Sequence, residues 1–217
     1  MDMHVLYAFI TALVLALIFG KIGIPMLKQL HARQSIREDG PKAHLAKAGT
    51  PMTALSLSEP LSCVLNGLDN YKAGLGDTVV IIGAGPIGLL HMTVCRLAGA
   101  TQIIVSDLSE TRRATASALG ADITVDSRNE DLETVVKDAT NGHGADVVVI
   151  AIGRPELLAQ AIGLVRKGGY VCAFAGFPKG STAAVDPNTI HYGEITLVGA
   201  ANAKRRQTEE ALRLIEN

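Results

Sequence analysis

TVVIIGAGPIGLLHMTVCRLAG, residues 78–99, decides how the rest of the chain is read. Five β-branched residues open it, four of them apolar, a run suited to a strand buried on both faces. Glycines and a proline then interrupt the run, and a helix is predicted from Pro86 to Leu97. Strand, glycine turn and helix follow one another with no spacer between them.

Outward from this stretch the same alternation repeats. Further short apolar runs are QIIVSD (102–107), ADITVD (121–126), ADVVVIAIG (145–153), GYVCAFAG (169–176) and EITLVGA (194–200). Helices are predicted between and after them at 109–119, 132–140, 155–165 and 204–216. Pro155 suits a helix start, and Gly120 and Gly168 are read as left-handed residues after helix ends. Upstream, EPLSCVLNGLDNY (59–71) carries Leu61, Val64, Leu65 and Leu68 at helical spacing and should pack on the sheet. The order of elements implies an α/β fold, a doubly wound Rossmann parallel sheet.

The glycines of GAGPIG, Gly83, Gly85 and Gly88, match G-x-G-x-x-G in the context the motif needs, after a strand and opening a helix. Gly83 makes the tight turn, Gly85 admits a pyrophosphate close to the backbone, and Gly88 lets helix and strand pack closely. The helix start offers free N–H groups and a partial positive charge to phosphates. Asp107 ends the next strand, about 20 residues on, where a carboxylate binds the adenosine ribose hydroxyls and repels a 2′-phosphate. NAD is therefore expected over NADP. Arg112 and Arg113 soften that preference if one pairs with a phosphate; the alternative for both is a solvated face. For Asp107 the alternative is a cap on helix 109–119.

The other end of the chain reads differently. Val5 to Phe19 carries no charge, and apolar character resumes past Lys21 through Ile22, Ile24, Met26 and Leu27. Its ten large apolar side chains favour insertion by roughly −4 kcal/mol together, and Lys21 can snorkel. A transmembrane helix over 1–27 is expected, with a buried core helix as the alternative. Basic residues crowd its C-terminal flank, Lys21, Lys28, Arg33, Arg37, Lys42 and Lys47. That bias predicts a single pass through the inner membrane, N-terminus outside, with the body in the cytoplasm. Residues 28–57 then form a basic loop and junction. Cys63, Cys95 and Cys172 make no CxxC pair and are expected to be reduced, and a net charge of −1 marks no nucleic-acid partner.

Two resemblances sharpen this picture. EPLSCVLNGLDNYKAGLGDTVVIIGAGPIGLL, VSDLSETRRATASALGAD, GHGADVVV, LVRKGGYVCAFAG and YGEITLVGA occur in that order. In this, residues 58–217 resemble the cofactor domain of the medium-chain, zinc-type alcohol and polyol dehydrogenases, the sorbitol dehydrogenase branch in particular. The resemblance implies that Gly83, Gly85, Pro86, Ile87 and Gly88 hold the pyrophosphate of NAD and that Asp107 and Arg112 flank the adenosine ribose. It implies further that Phe174, Ala175 and Gly176, with Ala200 to Asn202, line the nicotinamide end. The family often forms oligomers, and pairing of copies through the sheet edge is expected.

That family's zinc ligands lie upstream in a mostly β catalytic domain, which this sequence does not show. No Cys precedes Cys63, and His4, His31 and His44 stand without ligand spacing. Glu59 holds the position of the family's EP glutamate near the metal, with a helix-capping role as the alternative. His143 and His191 have no partners in the sequence, Ile150 stands where the family often has an acid, and the closing segment is absent after LRLIEN. NAD binding without dehydrogenation is the expectation. LYAFITALVLALIFGKIGIPMLKQLHARQSIREDGPKAHLAKAGTP resembles the start of bacterial phospho-N-acetylmuramoyl-pentapeptide transferase, without the later helices and paired aspartates of that family. AGTPMTALSLSEPLSC (48–63) is then a seam, and an inactive fusion or fragment is the alternative to a tethered cofactor domain.

Overall fold

The computed structural model describes residues 54–216, and residues Ser58–Asn217 make up one of two units into which the chain divides. A 3-10 helix, Ala54–Leu57, precedes α1, Ser58–Tyr71. There follow β1 (Thr78–Ile82), α2 (Pro86–Ala98), β2 (Gln102–Ser106), α3 (Glu110–Ala118), β3 (Ile123–Val125) and α4 (Leu132–Ala139). The remainder is β4 (Ala145–Ile150), α5 (Glu156–Leu164), β5 (Val165–Ala173), α6 (Pro187–Gly193), β6 (Thr196–Gly199) and α7 (Arg205–Glu216).

All strand pairs are parallel, in the order β3-β2-β1-β4-β5-β6. This is the Rossmann-like α/β sheet expected of the alternating pattern. The apolar runs are continuous because each face of the sheet has its own helical cover. Val80, Ile82, Ile104, Val148 and Ile150 pack with Leu132, Val136, Ile162 and Leu164 on one side. Val79, Ile81, Ile103, Val105, Val147 and Val149 pack with Tyr71, Met92, Cys95 and Ala116 on the other. Alternate residues of one strand thus serve two cores. Chain order reverses between β1 and β4, and the carboxyl ends of those strands flank the crevice where such sheets take ligands.

α1 joins the unit through a third cluster, in which Val64 and Leu65 meet Val94 of α2 and Ala211 of α7. A polar seam runs beside it. Gln207 donates to the Asp69 carboxylate at 2.6 Å, and Arg206 pairs with the same carboxylate.

Three local readings are corrected. β3 is shorter than predicted, because at its start Ala121 N–H is taken by Ala116 O in the last turn of α3. Gly168 is no helix cap: it lies inside β5, which begins at Val165 directly after α5, with φ of 73° where the β4–β5 register shifts. Its neighbour Gly169 has room for no Cβ, which would meet the Val165 side chain at 2.5 Å and Asp146 O at 2.7 Å. α6 was not anticipated, although Asp186 caps it by accepting from Asn188 N–H at 2.9 Å and Pro187 opens it. Gly120 does end its helix with φ of 102°, as expected.

The membrane placement is also corrected. Among the described residues no helix is long and apolar enough to cross a membrane. The longest, α1, has 14 residues, a rise of about 21 Å against a hydrocarbon core of about 30 Å. The predicted span 5–27, residues 28–53 of the predicted loop and junction 28–57, and the resemblance to a membrane transferase lie outside the described residues, while residues 54–57 of that junction form the 3-10 helix. The single-pass, inner-membrane location with an outer N-terminus therefore does not stand.

Candidate functional site

The glycine turn sits at the carboxyl end of β1. Gly83 extends the strand by one bond, its N–H donating to Ser106 O at 2.7 Å, and then bends away with φ of 111°. A Cβ there would meet the Ile152 side chain at 2.6 Å. Gly88, in the first turn of α2, faces the turn it came from: a Cβ on it would lie 1.8 Å from Gly83 O. Gly85 differs from both, since a Cβ there would meet nothing within 4 Å. Two glycines are thus demanded by packing, and the third borders open space. Gly85 is the N-cap of α2 and Pro86 its first residue; no side chain caps the helix and no acid stands in its first turn. Ile87 turns inward, half-buried against the α1–α2–α7 cluster.

Asp107 is buried at the end of β2. One carboxylate oxygen accepts Ala84 N–H at 2.9 Å, from within the glycine turn, and the other accepts Ser109 N–H at 2.8 Å. Asp107 thus ties the chain entering α3 to the glycine turn, while the N-cap of α3 itself is Ser109. The two arginines part company. Arg113 donates to Asp107 O at 2.8 Å and to the Asp126 carboxylate at 3.0 Å, and is largely covered. Arg112 is 58% exposed, with Nη1 3.7 Å from the Asp107 carboxylate.

Phe174, Ala175 and Gly176 leave the end of β5 beside β4. Phe174 N–H and Ala175 N–H both donate to Ile150 O, at 3.3 and 3.0 Å. Gly153 lets the two segments touch, since a Cβ on it would lie 2.2 Å from Gly176 O. Ala200 packs half-buried on the cluster that also takes Phe174. Asn202, in a left-handed conformation with φ of 61°, has its carbonyl held by the Asn66 side chain of α1 at 3.1 Å, and Asn70 holds Gly199 O at 3.1 Å. All twelve candidate residues therefore stand beyond the carboxyl ends of β1, β2, β5 and β6, on one rim of the sheet.

Sequence reasoning missed the residues beneath this rim. His91, fully buried on α2, places Nδ1 2.9 Å from the Tyr71 hydroxyl and stacks edge-on with Phe174 at 4.2 Å between ring centroids. A titratable side chain within the otherwise uncharged PIGLLHMTVC was the signal. Burial pushes His91 down to about 3 and Tyr71 well above its usual range.

For zinc the donor set does not fit. Among the described residues no group of three or more His, Cys, Asp or Glu is placed to hold a metal. Burial first, then the Glu59 carboxylate, pushes the Cys63 thiol up to about 11. Burial does the same for Cys95, to about 11, and Cys172, to about 12. Glu59 stands in the first turn of α1 with the Cys63 thiol 3.6 Å from its carboxylate, and its carbonyl accepts from the Ser62 hydroxyl at 2.7 Å.

Comparison with known proteins places this geometry. The chain is 32% identical over 158 residues to erythritol/L-threitol dehydrogenase of Mycolicibacterium smegmatis, covering 72% of this chain and 43% of the relative. It is 32% identical over 174 residues to sorbitol dehydrogenase of Halalkalibacterium halodurans, covering 79% and 50%. A crystal structure from Sinorhizobium meliloti, described as a zinc-binding dehydrogenase bound to NADP, superposes with a TM-score of 0.69 at 32% identity, covering 74% of this chain and 48% of the other. The chain spans about half the length of the relatives it matches. Residues 86–217 match the family model described as zinc-binding dehydrogenase, which is more than half of the chain, and the protein belongs to that family.

Proposed function

We propose that residues 58–217 bind NAD as the cofactor half of a medium-chain alcohol or polyol dehydrogenase. The observation that carries this reading is the glycine turn at the strand-order reversal, packed shut at Gly83 and Gly88 and open at Gly85. A pyrophosphate would lie over Gly83, Gly85, Pro86, Ile87 and Gly88, against the uncapped start of α2. Asp107 and Arg112 would flank the adenosine ribose. Phe174, Ala175, Gly176, Ala200 and Asn202 would line the nicotinamide end.

The Asp107 carboxylate supports NAD, because a 2′-phosphate would approach a buried negative charge. A second reading, use of NADP, is favoured by the exposed Arg112 guanidinium beside that carboxylate and by the NADP bound in the Sinorhizobium meliloti neighbour. Bound nicotinamide would supply the hydride acceptor, while this chain's own residues bind and orient it. Zinc, which the family name implies, has no donor set among the described residues, so we propose binding without turnover for this segment alone.

Titration of the full chain with NADH and NADPH, followed by nucleotide fluorescence, tests the reading. Saturable NADH binding weakened by Gly85→Ala is expected. No fluorescence change with either nucleotide refutes it.

A further inference from the structure

His91 belongs to no proposed contact with the dinucleotide, yet it joins three elements that carry the site. It projects from α2, one turn beyond Gly88, and is fully buried. On one side its Nδ1 meets the hydroxyl of Tyr71, the last residue of α1, at 2.9 Å. Tyr71 is itself fully buried and reaches Cys95 Sγ at 3.4 Å, so its own orientation is fixed. Elsewhere on the ring lies Phe174, with ring planes at 85° and centroids 4.2 Å apart.

Gly67 of α1 closes the remaining space, because a Cβ there would come within 3.1 Å of His91 Cε1 and 3.2 Å of the Phe174 ring edge. The two rings are therefore wedged into one arrangement. The other imidazole nitrogen, Nε2, is buried with no partner among the described residues. An unpaired buried polar atom costs about 1–3 kcal/mol, and Leu or Met would fill the same volume without that cost. What a hydrogen-bonded imidazole provides and an aliphatic side chain does not is a ring held at one angle. Phe174 rests on that ring at the point where β5 ends and the segment to Gly176 begins.

We infer that His91, anchored by Tyr71, is a positioning residue that sets the Phe174 ring at the nicotinamide end of the dinucleotide site. This rests on the dinucleotide reading above. Tyr71 of α1, Cys95 of α2 and Cys172 of β5 are the titratable groups of the surrounding core cluster, and His91 acts as a neutral wedge.

The test compares NADH with ADP-ribose, which shares the pyrophosphate and adenosine but has no nicotinamide ring. Dissociation constants for both are measured by calorimetry on the full chain carrying His91→Leu, Tyr71→Phe or Phe174→Leu. ADP-ribose affinity should stay within about twofold of the parent, while NADH affinity falls about tenfold in His91→Leu and by a smaller factor in Tyr71→Phe. Equal weakening of both ligands means a general structural role and overturns the inference, as does an unchanged NADH affinity. Should His91→Leu fail to fold, the NADH to ADP-ribose ratio in Tyr71→Phe and Phe174→Leu decides. If the parent chain binds neither ligand, the dinucleotide reading falls first; if it binds ADP-ribose as tightly as NADH, only the positioning role falls.

Discussion

A Cβ placed on Gly88 would lie 1.8 Å from the carbonyl oxygen of Gly83, well inside any van der Waals contact. The atom it meets is backbone, so no side chain can swing aside to relieve the clash. At Gly85, immediately before α2, the same methyl meets nothing within 4 Å. Packing and ligand access are thus assigned to different glycines of one motif.

Gly88→Ala should lower stability by about 3 kcal/mol or more, at the upper end of overpacking costs, because helix and turn must separate. Gly85→Ala should leave stability within about 0.5 kcal/mol, since its φ of −71° suits alanine. Urea unfolding measures both stabilities, and NADH titration of Gly85→Ala should show weakened binding. A Gly85→Ala variant with parental NADH affinity would sink the pyrophosphate assignment.

Asp107 and Arg112 make a second contrast. Asp107→Ala leaves two backbone N–H groups, of Ala84 and Ser109, without their charged acceptor, and should cost about 3 kcal/mol. Arg112→Ala removes a 58% exposed guanidinium and should change stability by less than about 0.5 kcal/mol. Its effect belongs in the ratio of NADPH to NADH affinity, which should fall. An unchanged ratio would remove Arg112 from the ribose site.

Burial lowers His91 to about 3 from its ordinary 6.5. Between those values the unfolded chain binds a proton that the folded chain does not, so stability falls as pH drops below 6.5 and is independent of this residue above it. By pH 5 the loss should reach about 2 kcal/mol, at 1.4 kcal/mol per pH unit. Urea midpoints at pH 5.0, 6.0 and 7.5 give the slope. His91→Leu should flatten it; an equal slope in both proteins would place the titration elsewhere.

β6 closes one side of the sheet with its outer edge unpaired among the described residues, and Leu197 on it is 42% exposed. We propose that a second copy pairs there, as an apolar open edge invites. Sedimentation of the full chain should show a concentration-dependent dimer that Leu197→Lys weakens. A monomer at every concentration would count against it.

The β-branched runs and the glycine spacing were enough to read the sheet, its helices and the turn over which a dinucleotide would lie. These are local properties: strand propensity, a period of 2 or 3.6, and a turn that only glycine can make. The same local reading misjudged Gly168. A left-handed glycine after a helix looks alike whether the chain then loops or enters a strand, and the choice was made by pairing of β5 with β4. It also placed an inner-membrane pass that no described helix supports, because apolarity in a sequence does not say what covers it.

Sequence alone determined the fold class, the alternation of strands and helices apart from α6, and the identity of the motif glycines. Tertiary structure decided which groups those elements bring together. Asn66 meets Asn202, Tyr71 meets His91, and Asp107 meets Ala84, each pair joined only once distant elements have packed. Periodicity along a chain specifies which face of a helix or strand is buried; the residue that comes to lie against that face is set by close packing across the core.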